Sequence, residues 1–234
     1  MKNIEYELIK ISDPTIRQKV SSYLSTFLSE TILSRIRDVL ENRTRHVTVV
    51  LEDLYQTQNI SAVMRTCECF GVQDVHVVEN ENEFTVHKAI SMGANKWLTI
   101  SNYPKFDNNL ENCILTLKSK GYKIVATVPG EESCFLEQLP IHDKTAFLFG
   151  TELTGLTNEA IKMADVCVKI PIYGFTESYN ISNSVAIVLS NFVEKLRKSS
   201  VQWQLSPSEK EELLLEWLQK SVKNPKLIIE KYLK

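Results

Sequence analysis

No apolar stretch in this 234-residue chain approaches the about 18 residues that a membrane span requires, and Met1-Lys2-Asn3-Ile4-Glu5 opens neither a signal peptide nor a transit peptide. An excess of one charge sign is also missing. The 27 Lys and Arg against 29 Asp and Glu leave a net charge of −2 and a pI near 6.1, unlike a nucleic-acid coat protein, although a balanced total can hide a local basic patch. Five cysteines are present, Cys67, Cys69, Cys113, Cys134 and Cys167, but no pair is followed by a second pair or a histidine at metal-ligand spacing. Neither a zinc site nor a disulfide framework is expected, and no metal. The chain reads as a cytoplasmic protein with reduced thiols. Internal repeats and low-complexity tracts are absent, and at 43% hydrophobic and 24% charged the composition excludes wholesale disorder.

Glycine is scarce and confined. All seven glycines fall between Gly71 and Gly174, so both ends are expected to be mostly helical. Asp13-Pro14 suits an N-cap followed by N1, and Ser206-Pro207-Ser208-Glu209 reads as a capping box ahead of Leu213, Leu214, Trp217 and Leu218. Between the flanks, strands are expected at 46–51, 74–78, 97–100, 123–128, 145–149 and 166–172. Helices are expected at 59–70, 107–120, 157–164 and 179–197. Nearly continuous Val, Ile and Phe in the strands, alternating with amphipathic helices, predict an α/β fold whose mostly parallel sheet carries helices on both faces. Such sheets bind ligands at the carboxyl ends of their strands. The sequence nevertheless has no G-x-G-x-x-G, no G-x-x-x-x-G-K-[ST] and no G-x-S-x-G, so other loops must serve.

Three segments place polar residues where a bland layered fold needs none. In Gln58 to Thr66, Asn59 is positioned to cap a helix whose apolar stripe is Ile60, Val63, Met64 and Cys67. Arg65 lies about 140° around that helix from Ile60. In Phe147 to Leu156, an apolar strand runs into Gly150, with Glu152 two positions on and Thr157 as the next N-cap. In Ile170 to Ser182, the small polar residues Ser178, Asn180 and Ser182 alternate as a helix begins. Each segment alone is also compatible with ordinary capping and turn chemistry.

Taken together and in this order, the three resemble the motifs of the SpoU/TrmH family of RNA ribose 2′-O-methyltransferases, within the SPOUT class. Asn59, Arg65 and Thr66 match the first motif. Phe149, Gly150, Glu152 and Gly155 match the second, and Ile170, Pro171, Gly174, Ser178, Asn180 and Ser182 the third. Thr151, Ile172 and Tyr179 depart from the usual Asn, Met and Leu, and Asn183 stands where an apolar residue is common. The resemblance spans residues 46–197, and the helical flanks look most like the TrmH branch, which methylates a guanosine ribose in the tRNA D-loop. It implies a methyltransferase domain at 46–198 with a C-terminal trefoil knot, a helical N-terminal extension at 1–45 and a helical C-terminal extension at 199–234. It further implies a homodimer with its active sites at the subunit interface. S-adenosylmethionine would be held at Thr127, Gly150, Ile170 and Tyr179. Arg65 would act on the 2′-hydroxyl, with Asn59, Glu152, Ser178 and Asn180 as the remaining catalytic set.

An RNA substrate, tRNA above all, needs cationic surface on this neutral chain, while no DNA or membrane partner is implied. Candidate clusters are Arg35, Arg37, Arg43 and Arg45; Lys195, Arg197 and Lys198; and Lys220, Lys223, Lys226, Lys231 and Lys234. Trp203 and Trp217 are candidates for stacking on bases, although Trp217 sits on an apolar stripe and suits a core better. Two alternatives remain at this level: the same chemistry on ribosomal RNA, and a catalytically silent RNA-binding module of the same fold.

Overall fold

Val, Ile and Phe runs that are buried on both faces form the centre of the computed structural model, which describes residues 8–82, 91–130 and 133–233. Seven strands among these residues make one sheet: β1 (Val47–Glu52), β2 (Asp74–Val78), β3 (Thr99–Tyr103), β4 (Tyr122–Thr127), β5 (Cys134–Phe135), β6 (Lys144–Phe149) and β7 (Val166–Lys169). Their order is β3-β2-β1-β6-β4-β7-β5, and every pairing is parallel. Alternation of side chains divides the core into two layers. Val47, Val49, Leu51, Val125, Phe147 and Phe149 face α3 (Thr57–Cys69) and the long helix α6 (Ile181–Lys198). Val50, Ile124, Ala126, Ala146 and Leu148 face α4 (Asn109–Ser119) and α5 (Asn158–Met163).

The strand and helix bounds differ from expectation for local reasons. β3 begins at Thr99 rather than Trp97, because Trp97 closes the short turn Ala94–Lys96 by donating its N–H to Ala94. β7 stops at Lys169, three residues early, since Pro171 has no N–H to give the ladder. The two-residue β5 is too short to leave a pattern in the sequence. Helix α3 starts two residues before Asn59, with Gln56 at its N-cap, so Asn59 lies inside the first turn and does not cap the helix. Elsewhere the caps fall as expected. Asp13 accepts from the Ile16 N–H ahead of α1 (Pro14–Ser25), Thr157 accepts from the Ala160 N–H, and Gly121 takes φ +81° just beyond α4.

Residues Thr44–Trp203 form one compact unit, and Met1–Arg43 with Gln204–Lys234 form another. The second is helical: α1, α2 (Glu30–Glu41), α7 (Pro207–Ser221) and α8 (Pro225–Tyr232). Ser206 and Glu209 form the expected capping box of α7. Trp217 is buried, with the Arg43 guanidinium 5.2 Å from its ring centroid, and Arg17 pairs with Glu212 at 2.8 Å. Trp217 is therefore core, not a platform for bases. Arg43 is fully buried and unavailable to phosphate. In the larger unit Arg45 is paired with Asp74 at 3.1 Å, so the first basic cluster keeps only Arg35 and Arg37 at the surface. The second cluster is also engaged: Lys195 donates to the Glu137 carbonyl, Lys198 pairs with Glu194, and Arg197 lies over Trp203. No helix among the described residues is long and apolar enough to cross a membrane.

Candidate active site

Three chain segments far apart in sequence meet at the carboxyl edge of the sheet. α3 carries Asn59, the loop after β6 carries Glu152, and the N-terminus of α6 carries Asn180. The Asn59 side-chain amide donates to Glu152 Oε1 at 2.8 Å, and the Asn180 amide donates to the same oxygen. Asn180 also donates to Asn59 Oδ1 at 3.2 Å. Its own Oδ1 accepts from the Ser182 N–H at 2.9 Å and from the Ser182 hydroxyl at 2.6 Å, so one side chain both caps α6 and joins the network. Glu152 accepts both amides on one oxygen, leaving Oε2 directed to neither asparagine.

Beside this network lies a cavity of about 420 Å³, bounded by the ends of β4, β6 and β7 and by the loops that follow them. The four positions singled out for a cofactor, Thr127, Gly150, Ile170 and Tyr179, all line it, as do Glu152 and Ser178. Its apolar walls come from Val128, Leu156, Ile161 and Ile172. A cavity of this size, whose apolar walls are interleaved with polar groups such as Thr127, Thr151, Glu152 and Ser178, falls in the range that holds a small organic ligand. Gly150 is obligatory for its shape. A Cβ there would lie 2.1 Å from the Gly155 carbonyl oxygen, because the loop folds back and Thr151 and Gly155 exchange two backbone hydrogen bonds at 3.1 Å. The Tyr179 hydroxyl donates to the Pro171 carbonyl at 3.1 Å, closing the other loop.

Arg65, Asn59 and Asn180 do not line the cavity. Arg65 is exposed, about 9 Å along α3 from Asn59 and about 120° around it. Two features escaped the sequence. Leu153, Tyr173 and Phe175, on the two loops that bound the cavity, are almost fully exposed. Glu52, at the end of β1, is 2% exposed, and burial pushes its carboxyl above the usual range against the opposing pull of its bonds from Thr157. A carboxylate closing a run of valines was the available signal for Glu52.

The sequence profile of the SpoU rRNA Methylase family matches residues 46–190. The chain belongs to this family. A tRNA (guanosine(18)-2′-O)-methyltransferase of Borreliella burgdorferi is 45% identical over 205 residues, 88% of this chain and 92% of the relative. Among solved SpoU structures, the TrmH/SpoU tRNA-modifying enzyme of Aquifex aeolicus superposes with a TM-score of 0.73 at 30% identity, covering 83% of this chain and 98% of that one. The SpoU methyltransferase AviRb of Streptomyces viridochromogenes, solved with AdoMet, shares the fold at a TM-score of 0.60 and 19% identity, over 69% of this chain and 65% of that one.

Proposed function

We propose that this protein transfers the methyl group of S-adenosylmethionine to a ribose 2′-hydroxyl of tRNA, at the D-loop guanosine numbered 18 in its relatives' names. The observation that carries this reading is the meeting of Asn59, Glu152 and Asn180 beside a cavity lined by Thr127, Gly150, Ile170 and Tyr179. Bound in that cavity, S-adenosylmethionine supplies an electrophilic methyl on a sulfonium. The chain's own contribution is alignment and charge. Fixing donor and acceptor in line is worth on the order of 7–11 kcal/mol in favourable cases. Glu152 Oε2 is free to accept from the substrate. Ser178, on the cavity wall, and Asn180 hold the third motif in place.

Arg65 suits donation rather than proton abstraction, since a guanidinium presents a fork of fixed N–H donors and no acceptor. Its role is to position an RNA phosphate and stabilise the developing alkoxide, the phosphate assisting proton loss. Because Arg65 is exposed and does not line its own chain's cavity, the reading includes a homodimer in which it serves the cavity of the second copy. The exposed Leu153, Tyr173 and Phe175 supply apolar surface of the sort that a partner covers. The reading also includes the trefoil knot, supported by a strand order that inserts β7 between β4 and β5 after β6 has returned to β1. Residues 46–198 form the methyltransferase domain, flanked by helical extensions at 1–45 and 199–234, in a cytoplasmic enzyme.

The test is methylation of separated tRNA and rRNA with labelled S-adenosylmethionine, followed by nuclease mapping. Label at a D-loop guanosine ribose is expected. Label in rRNA alone overturns the substrate, and failure of the purified protein to bind S-adenosylmethionine by calorimetry overturns the enzyme in favour of a silent module.

A further inference from the structure

Glu52 is a buried acid that the proposed chemistry does not use. By strand alternation it shares the parity of Val50, so it faces the layer of α4 and α5 rather than that of α3. There its Oε2 accepts from the Thr157 N–H at 3.0 Å, and its Oε1 accepts from the Thr157 hydroxyl at 2.7 Å, across 105 residues of sequence. Thr157 in turn accepts from the Ala160 N–H at 3.1 Å. A single carboxylate thus fixes both donors of the residue at which the loop after β6 turns into α5. On either side of that fixed point stand Leu156 and Ile161, which form one wall of the cavity.

We infer that Glu52 is a positioning residue for the cofactor cavity, holding the Leu156 to Ile161 wall in place through its paired hydrogen bonds to Thr157. Charge is otherwise unwelcome at an inward-facing strand position with 2% exposure, because an unpaired buried carboxylate is costly. A Val or Leu would fill the layer, but it would leave the Thr157 N–H without this partner and α5 free to shift. Displacement of a binding wall by about 1 Å is enough to cost on the order of 100-fold in function. The groups facing the carboxylate are Thr157 and, through space, Asp53 and Glu159, which add like charge and no competing donor.

This inference rests on the reading of the cavity as the S-adenosylmethionine site, and the experiment separates the two. Calorimetric titration of S-adenosylmethionine into the wild-type full chain tests the site itself. Glu52→Ala and Glu52→Gln are then compared by the same titration and by thermal melting. Glutamine keeps an acceptor for the Thr157 N–H, and its amide can donate to the hydroxyl oxygen's remaining lone pair. The expected result is a Kd raised at least about 10-fold in Glu52→Ala and within about 3-fold of wild type in Glu52→Gln. Thr157→Val should follow the alanine variant and Thr157→Ser the wild type; that pair decides the matter if Glu52→Ala fails to fold. A lower melting temperature with unchanged Kd in Glu52→Ala, or a Kd unchanged in Thr157→Val, overturns the positioning role even where wild-type binding is sound.

Discussion

Gly150→Ala offers the most direct test of the cavity. Gly150 has no positive φ, so the substitution carries no backbone strain of its own, and the effect is steric. The added Cβ would lie 2.1 Å from the Gly155 carbonyl oxygen, 2.2 Å from its carbon and 2.3 Å from the Leu156 nitrogen, all main-chain atoms that cannot swing away. Restoring an ordinary 3.4 Å contact requires the 150–156 limb to move by about 1.3 Å. That movement breaks the Thr151–Gly155 pair and carries Leu156 with it. Overpacking of this kind costs about 1–3 kcal/mol, which lowers the melting temperature by about 2–12 °C in a unit of this size. Affinity for S-adenosylmethionine should fall by at least about 10-fold in calorimetry. Gly155→Ala is the control. Its Cβ meets nothing within 4 Å and its φ is +70°, so it should cost about 1 kcal/mol of strain and leave the Kd within a few-fold. Equal affinities in Gly150→Ala and wild type would refute the placement of the cofactor between these limbs.

Arg65→Ala should leave cofactor affinity nearly intact and lower turnover at least about 100-fold, as loss of a contact made in the transition state does; unchanged turnover on tRNA removes Arg65 from the mechanism. His76, 3% exposed and 3.3 Å from the Tyr103 hydroxyl, has its pKa pushed down from 6.5 to about 4 by burial and, secondarily, by Lys120. The folded state therefore holds it neutral while the unfolded chain takes a proton, so stability is full above about pH 6.5 and falls by up to about 3 kcal/mol as the pH drops to about 4. Urea titrations of wild type and His76→Gln should diverge in slope across that window, and parallel slopes would contradict the assignment. Trp217→Ala, emptying a site only 1% exposed, should destabilise the helical unit by about 3–5 kcal/mol in chemical denaturation, whereas an exposed base-stacking tryptophan would cost far less.

What the sequence revealed and what it hid follow from range. Periodicity, glycine position and capping chemistry are local, so the parallel sheet, its covering helices and the caps at Asp13, Thr157 and Ser206 were legible from short windows. The family motifs carried the grouping of Asn59, Glu152 and Asn180, which no single window contains. Arg43 shows the limit of reading charge along a chain. It sits among arginines that look like a phosphate-binding patch, yet it is buried against Trp217, a partner 174 positions away. Asn59 shows another limit. Its residue type and place before an apolar stripe suit a cap, but Glu152 offers its side chain a long-range acceptor, and the helix starts earlier at Thr57. Glu52 showed only as a carboxylate closing a valine-rich strand, because its use depends on Thr157, 105 residues on.

These bonds explain how a loop containing two glycines can define a rigid cavity. The segment from Gly150 to Thr157 crosses the carboxyl edge of the sheet, and each of its limbs is tied to a different layer. On one side, Glu152 accepts amides from α3 and α6. On the other, Glu52 accepts the two Thr157 donors at the start of α5. Around the Glu152 tie the loop closes on itself through Thr151 and Gly155, an approach only glycine at position 150 permits. Flexibility that glycine would otherwise bring is removed by anchors at both ends, so the cavity's shape follows from the strand register that fixes β1 beside β6. It follows that severing either anchor alone should loosen the loop on one side, and severing both should cost more than the sum. In a double-mutant cycle of Glu52→Ala with the pair Asn59→Ala and Asn180→Ala, which removes both amides from Glu152, the coupling in S-adenosylmethionine affinity should exceed about 0.5 kcal/mol, the threshold that separates interacting from independent sites. Strict additivity would mean that the two layers shape the cavity independently.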